Sequence, residues 1–326
     1  MYFSEAVCNL MNKWNDVFSQ ERTMMRAIRL ALCLLLNPSR NTITQSLVYG
    51  GLDDVDWSSD FKVFSRSKWN DADLFKPVIE ETVSYFPDSY ICLAVDDTKI
   101  KKTGEKIPLA QFFRDPLSPP FRYNLMYCHR ILQFSALLPL YELEIPDIED
   151  EDKLYHVCRG IPVSVSNVPA VKKPGKRATA EDIEAYKSNK RINNLSLSFI
   201  DNAIKLRDAY DEKGAVDKTL LIVADGSFCN STVFKAELDR TKIAARCRKD
   251  AKLCHREQAP SRRIYSKETF TPLSVRQDDN IPYQSAMLYI GKKRRRVRYK
   301  EVPNVLWQRG AGQQLLRLIV IAPKPY

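Results

Sequence analysis

The chain has 326 residues, 44% hydrophobic and 28% charged, the profile of a globular protein with a sizeable core rather than a disordered or collagenous one. Its longest apolar run, "AIRLALCLLL" (Ala27 to Leu36), is about half of what a membrane span needs. No basic-then-apolar leader opens the sequence, so a cytoplasmic protein without membrane segments is expected. The formal net charge of +11 is concentrated: Ala251 to Tyr326 holds 16 Lys and Arg against 5 Asp and Glu, and the first 250 residues balance to zero. Localised basic charge of this kind is the footprint of a polyanion-binding face.

In chain order, residues 1 to about 90 read as a helical N-terminal domain. Apolar residues recur at helical spacing through "EAVCNLMNKWNDVF" and "MMRAIRLALCLLL", the latter stopping at Asn37-Pro38. A third helix is expected through "NTITQSLVYGG", with Asn41 as N-cap and a double-glycine stop, and a fourth after Asn70. DNA docking and a structural cap on the next domain are the two duties open to such a domain.

The pattern then changes to α/β. "YICLAVDDT" is a buried-strand run ending in acids, "MYCHRILQFSALLPL" a second strand, and "GIPVSVSNVP" a third. Between the last two lies the acidic connection "ELEIPDIEDEDK", expected as a solvated loop. After the basic linker "VKKPGKR", one long helix is expected from Thr179, with Asp182 in capping-box position, to Gly214. "KTLLIVADGSF" is a fourth strand, followed by a helix through "STVFKAELDR" and a strand through "KIAARCRKD". The arrangement predicts a mixed α/β sheet over residues 91–250. Residues 251–326 read as a β-rich segment with strands in "SAMLYIG", "RRVRYKEV" and "LLRLIVIAP". Eight cysteines without a CxxC pair match neither a disulfide framework nor a structural zinc site.

Two segments share one design: "ICLAVDDT" and "LLIVADGS" are apolar strands closing on aspartate. If the strands are neighbours, the carboxylates converge at the sheet edge where ligands of open α/β sheets gather. Converging carboxylates repel unless a cation neutralises them. Mg²⁺ takes one or two carboxylates plus waters and substrate phosphates, an arrangement suited to phosphodiester chemistry. The plainer alternative is an acidic turn after each strand, since Asp readily bonds the following backbone amides. The residues alone do not decide between Asp96 and Asp97 as ligand.

Other residues point toward nucleic acid. Lys292, Lys293, Arg294, Arg295, Arg296 and Arg298 form a run suited to phosphate contacts, whose binding would be steeply salt-dependent. Trp307 and Arg309 could stack on a base or clamp the backbone, with Trp307 as core the alternative. Lys101 and Lys102 follow the first acids and could reach a scissile phosphate, or be ordinary surface lysines. No P-loop, dinucleotide fingerprint or convincing serine triad is present.

The blocks "AVDDT" followed by "KIKKTGEK", "LLIVADGSF", "RRVRYKEVPNVLWQRG" with "LLRLIVIAP", and "SRSKWNDADLF" together resemble the bacterial insertion-sequence DDE transposases. The closest likeness is to the branch with a β-rich insertion before its final glutamate. The resemblance covers most of the chain and rests on the order and spacing of the blocks. It implies an RNase H-like core interrupted by insertions, and metal-dependent cleavage and strand transfer at transposon ends. It makes Asp96 the first catalytic and metal-binding aspartate and Asp225 the second, with Mg²⁺, or Mn²⁺ as substitute, and Asp97 a tuning or capping neighbour. It also implies double-stranded DNA as partner, a homodimer on paired ends and a nucleoid-associated location. The family's third carboxylate, a glutamate on a later helix, has no counterpart: Glu237 and Glu301 do not match, and the chain ends at "IAPKPY". The expectation is therefore a truncated or split transposase or, as the alternative, a catalytically inactive DNA-binding relative that regulates transposition.

Overall fold

The computed structural model describes residues 3–86, 89–104, 106–119, 121–122, 124–139, 158–258, 262–290 and 293–322. The expected acidic loop, and Lys292 of the basic run, lie outside these residues. The chain divides into two compact units, Met1–Glu81 and Thr82–Tyr326.

The first unit is helical, with α1 (Phe3–Asn12), α2 (Glu21–Leu36), α3 (Ile43–Tyr49), α4 (Ser58–Ser65) and the start of α5 (Lys76–Val83). Leu30, Leu47 and Val63 form its core, with Ala27, Ile43, Leu52 and Trp57 packed around them. Asp60 is fully buried and pairs with Arg29. Five helices replace the expected four, because "SSDFKVFS" makes α4 on its own. The cap of α3 is Thr42, one residue past the expected Asn41: Thr42 has the extended backbone of an N-cap, and its side chain accepts from the Gln45 amide.

The second unit opens with β1 (Tyr90–Lys101), β2 (Gln111–Arg114), β3 (Leu125–Pro139) and β4 (Cys158–Asn167). Helices α6 (Ala180–Ile192) and α7 (Leu195–Glu212) follow, then β5 (Thr219–Ala224), the single turn α8 (Ser231–Phe234) and β6 (Thr241–Ala245). The sheet runs β4-β3-β1-β5-β6, with β2 beside the start of β3. β1, β3 and β4 pair antiparallel, while β1, β5 and β6 run parallel. This mixed sheet is an RNase H-like fold. The single long helix expected from Thr179 is two helices: Asn194 breaks it and caps α7 by accepting from the Leu197 amide.

Helix α7 lays Phe199, Ala203, Leu206 and Tyr210 on the sheet at helical spacing. Ile91, Leu93 and Val95 of β1 and Leu220, Ile222 and Ala224 of β5 are buried as well. Phe199 stacks between Phe134 and Phe228, with ring centroids 5.6 Å and 5.1 Å away. Buried Arg207 ties the end of α7 to the approach to β5, donating to the carbonyls of Lys218 (2.8 Å) and Ala215 (2.9 Å).

The rest of the unit is β-rich, as expected. β7 (Leu253–Arg256) pairs β8 (Tyr265–Phe270), and β9 (Gln284–Ile290), β10 (Lys293–Val305) and β11 (Leu316–Ile321) form a second sheet in the order β11-β10-β9. The short helices α9 (Pro272–Gln277) and α10 (Gln308–Ala311) complete it. Leu253, Val275, Val302, Val305, Leu318 and Val320 are its core.

Candidate active site at the sheet edge

The parallel pairing of β1 with β5 runs from Tyr90–Thr219 to Val95–Ala224. The next residue on each strand is an acid, Asp96 and Asp225. Because side chains alternate along a strand, both follow a core residue and belong to the opposite, open face. Both are exposed. The strands do not end alike. β5 stops at Ala224, but β1 continues to Lys101, paired only with β3. Asp96 thus sits within a strand, not at its tip as the apolar run suggested: the ladder to β3 carries β1 onward after β5 has turned away.

Each acid is oriented by its own neighbourhood. Asp96 Oδ1 accepts the Asp97 amide at 2.8 Å. Asp225 Oδ1 accepts the Ser227 amide at 2.8 Å and the Ser227 hydroxyl at 2.6 Å. The turn is held further by Asn230, whose side-chain amide donates to the Ser227 carbonyl and to Ser196 Oγ, both at 2.9 Å. Gly226 fits here because an added Cβ would lie 3.3 Å from the Arg246 carbonyl. Asp97 has the parity of the core face, and Arg130 Nε donates to its Oδ2 at 2.8 Å. Among the described residues, neither Asp96 nor Asp225 pairs with a cation.

This donor set fits a hard divalent ion. Two carboxylates at one register level, each with one oxygen engaged by neutral donors and neither neutralised, favour a shared oxygen-seeking cation. Among the described residues, no group of three His, Cys, Asp or Glu is drawn together as a metal cluster. Glu301 is engaged by Arg317 at 3.2 Å. Glu237 lines a groove of about 2120 Å³ that Asp225 also borders, together with Leu221, Ala244 and, from β11, Leu316 and Leu318.

The remaining sequence-predicted residues are spread more widely. Lys101 is the last residue of β1, five positions beyond Asp96 and on the parity of Asp97; the Lys102 amide bonds the Tyr127 carbonyl at 2.9 Å. Lys293, Arg294, Arg295, Arg296 and Arg298 run along β10, paired with β9. Arg295, Arg296 and Arg298 are exposed, and the Arg298 guanidinium lies 5.1 Å from the Tyr283 ring. Trp307 is half-buried, edge-on to Phe234 at 5.8 Å, with its ring so close to Gly310 that no side chain fits there. Arg309, in α10, is exposed.

No helix among the described residues is long and apolar enough to cross a membrane. No curated protein matches the chain significantly. A sequence profile of the DDE superfamily endonucleases matches residues 21–311, a span that includes both acids and the whole mixed sheet. Members of this superfamily act on DNA and generally use divalent metal ions. With that match running over most of its length, the chain belongs to the DDE superfamily of endonucleases.

Proposed function

We propose that the protein is a transposase: it cleaves DNA strands at transposon ends and transfers them to a target, as a dimer on paired ends. The observation that carries this reading is the pairing of Val95 with Ala224, which makes Asp96 and Asp225 the next residues on adjacent parallel strands. In this reading Asp96 and Asp225 hold Mg²⁺ or, in its stead, Mn²⁺. When bound, the ion supplies Lewis acidity at the phosphate and a water or 3′ hydroxyl ready for in-line attack. The chain's own part is positional. The β1 ladder fixes Asp96, Ser227 and Asn230 orient Asp225, and Arg130 keeps Asp97 occupied. Exposed Arg295, Arg296 and Arg298 with Lys293, Arg294 and Arg309 hold DNA along β10 and α10, and the helical unit adds a further docking surface.

The test is metal-dependent nicking of duplex DNA carrying the element's terminal repeats, by the wild type and by Asp96→Asn and Asp225→Asn. Loss of nicking in both variants with DNA binding retained is expected. Nicking that survives both substitutions removes the site assignment. A second reading, a DNA-binding regulator without cleavage activity, draws support from Asp96 and Asp225 being joined by no third His, Cys, Asp or Glu among the described residues. It predicts end binding by the wild type with no nicking at any Mg²⁺ or Mn²⁺ concentration.

A further inference from the structure

Between β4 and α7 the chain makes an excursion with no buried residue from Pro169 to Arg191. Both of its roots are fixed beside the two acids. On the outgoing side, Asn167 pairs with Ile131, which pairs with Thr98, two residues past Asp96. The following amide, of Val168, bonds the carbonyl of Arg130 at 2.8 Å, the residue whose side chain holds Asp97. On the returning side, Ser196 accepts from Asn230, the residue that also bonds Ser227, which in turn holds Asp225. The excursion therefore leaves from and returns to the edge that carries Asp96 and Asp225.

Its composition is unlike that of the surrounding core. Pro169 to Arg191 contains seven Lys and Arg against three Asp and Glu, in a region whose first 250 residues sum to zero. Four of the cations, Lys172, Lys173, Lys176 and Arg177, fall within six residues that contain no acid. All four are exposed, and none has an ion-pair partner among the described residues. Of the three acids that follow, Asp182 closes the capping box of α6 with Thr179, Glu184 lies 4.0 Å from Lys187, and Glu181 is exposed in the first turn of the helix. Helix α6 buries none of its described side chains, and Ile183 is 42% exposed. A mostly polar helix that buries none of its described side chains is suited to bridging to another body.

From this placement we infer that residues 169–192 form an arm that grips the phosphate backbone of duplex DNA beside the cleaved strand, with Lys172, Lys173, Lys176 and Arg177 as its phosphate contacts. The inference rests on the Asp96–Asp225 edge being the site where DNA is processed. Unpaired, exposed cations neutralise phosphates and release their counterions, so the arm contributes affinity and register without reading sequence. A helix of this length carries contacts about 20 Å away from its root, about six base pairs along a duplex.

The experiment uses the full chain, a generic duplex and two measurements. In the first, DNA affinity is followed across salt concentrations for the wild type and for the Lys172→Ala/Lys173→Ala/Lys176→Ala/Arg177→Ala variant. All four positions are exposed loop, so the fold should persist, and thermal unfolding checks that it does. The expected result is a log–log salt slope shallower by about 3 to 4, near 0.9 per lost contact. In the second, limited trypsin digestion maps cutting between Lys172 and Arg177 with and without the duplex, protection being expected. An unchanged slope, or protection confined to the β10 strand, overturns the inference; so does protection by an acidic polypeptide but not by DNA. Because neither measurement needs turnover, protection and a reduced slope in a chain that never nicks DNA uphold the arm and count only against the transposase reading.

Discussion

Arg130 reaches across from β3 to hold Asp97 at 2.8 Å, and Asp96, one residue earlier, has no such partner among the described residues. Two adjacent aspartates on opposite faces of one strand thereby have different surroundings. Asp97 and Arg130 are largely shielded, with side chains 15% and 25% exposed, and their pairing fastens β1 to β3 just past the end of the parallel ladder. Asp97→Asn should lower stability by about 1 kcal/mol, as loss of a partly screened charged hydrogen bond, and leave nicking within a few fold. Asp96→Asn should do the reverse: unchanged unfolding midpoint and nicking reduced more than about a hundredfold. Urea unfolding and a nicking assay on both variants read the two effects separately.

Ser227 presents both its amide and its hydroxyl to one oxygen of Asp225. Removing the hydroxyl frees the carboxylate to rotate without removing it. Ser227→Ala should weaken Mn²⁺ binding about tenfold, measured by calorimetry or paramagnetic relaxation, with little change in thermal stability.

The cations of β10 divide into buried and exposed ones. Lys300 is 1% exposed, and its ammonium donates to the carbonyls of Arg276 and Asp278, at 3.2 Å and 2.6 Å, at the C-terminal end of α9. Arg296 has the same parity, yet stands past the core and is exposed. Lys300→Met should strand those carbonyls and cost about 2–3 kcal/mol in chemical unfolding. Arg296→Ala should leave stability unchanged and make the DNA-binding salt slope shallower by about 1.

Tyr210 lies buried under the sheet with its hydroxyl 3.2 Å from Thr82, and burial pushes its ionisation from 10.0 up to about 12. The folded protein therefore holds the phenol proton at a pH where the unfolded chain has released it. That stabilisation is fully present below pH 10.0 and is lost as the pH rises toward about 12. Unfolding midpoints should fall over this window in the wild type. Tyr210→Phe, less stable at neutral pH, should show a flatter profile there.

Much of the fold was legible because its strands announce themselves. "YICLAVDD" and "LLIVADG" carry the apolar density of strands buried on one face and flanked by turn residues, and they pair as parallel neighbours. Boundaries were harder to read. The α6–α7 break depends on Asn194 offering a better cap than continued helix, a competition that periodicity does not register. Asp96 looked terminal because polar residues follow it, yet an edge-exposed strand tolerates them when one neighbour continues the ladder. The arm was invisible for a different reason. "VKKPGKR" reads as a linker, and a zero charge balance over 250 residues hides a local excess; only the topology shows where its two ends are anchored.

The two acids stand on supports of unequal stiffness. Asp96 belongs to a strand whose ladder to β3 continues for five more residues, whereas Asp225 begins a turn whose shape depends on Ser227, Asn230 and the bare Gly226. In the proposed reading, where the two acids share a cation, any adjustment around the ion would fall mostly to the Asp225 side, because the Asp96 strand is held by its ladder. Amide exchange should register this directly, slowing across residues 226–230 when Mn²⁺ is added while residues 93–98 keep the rates they had before.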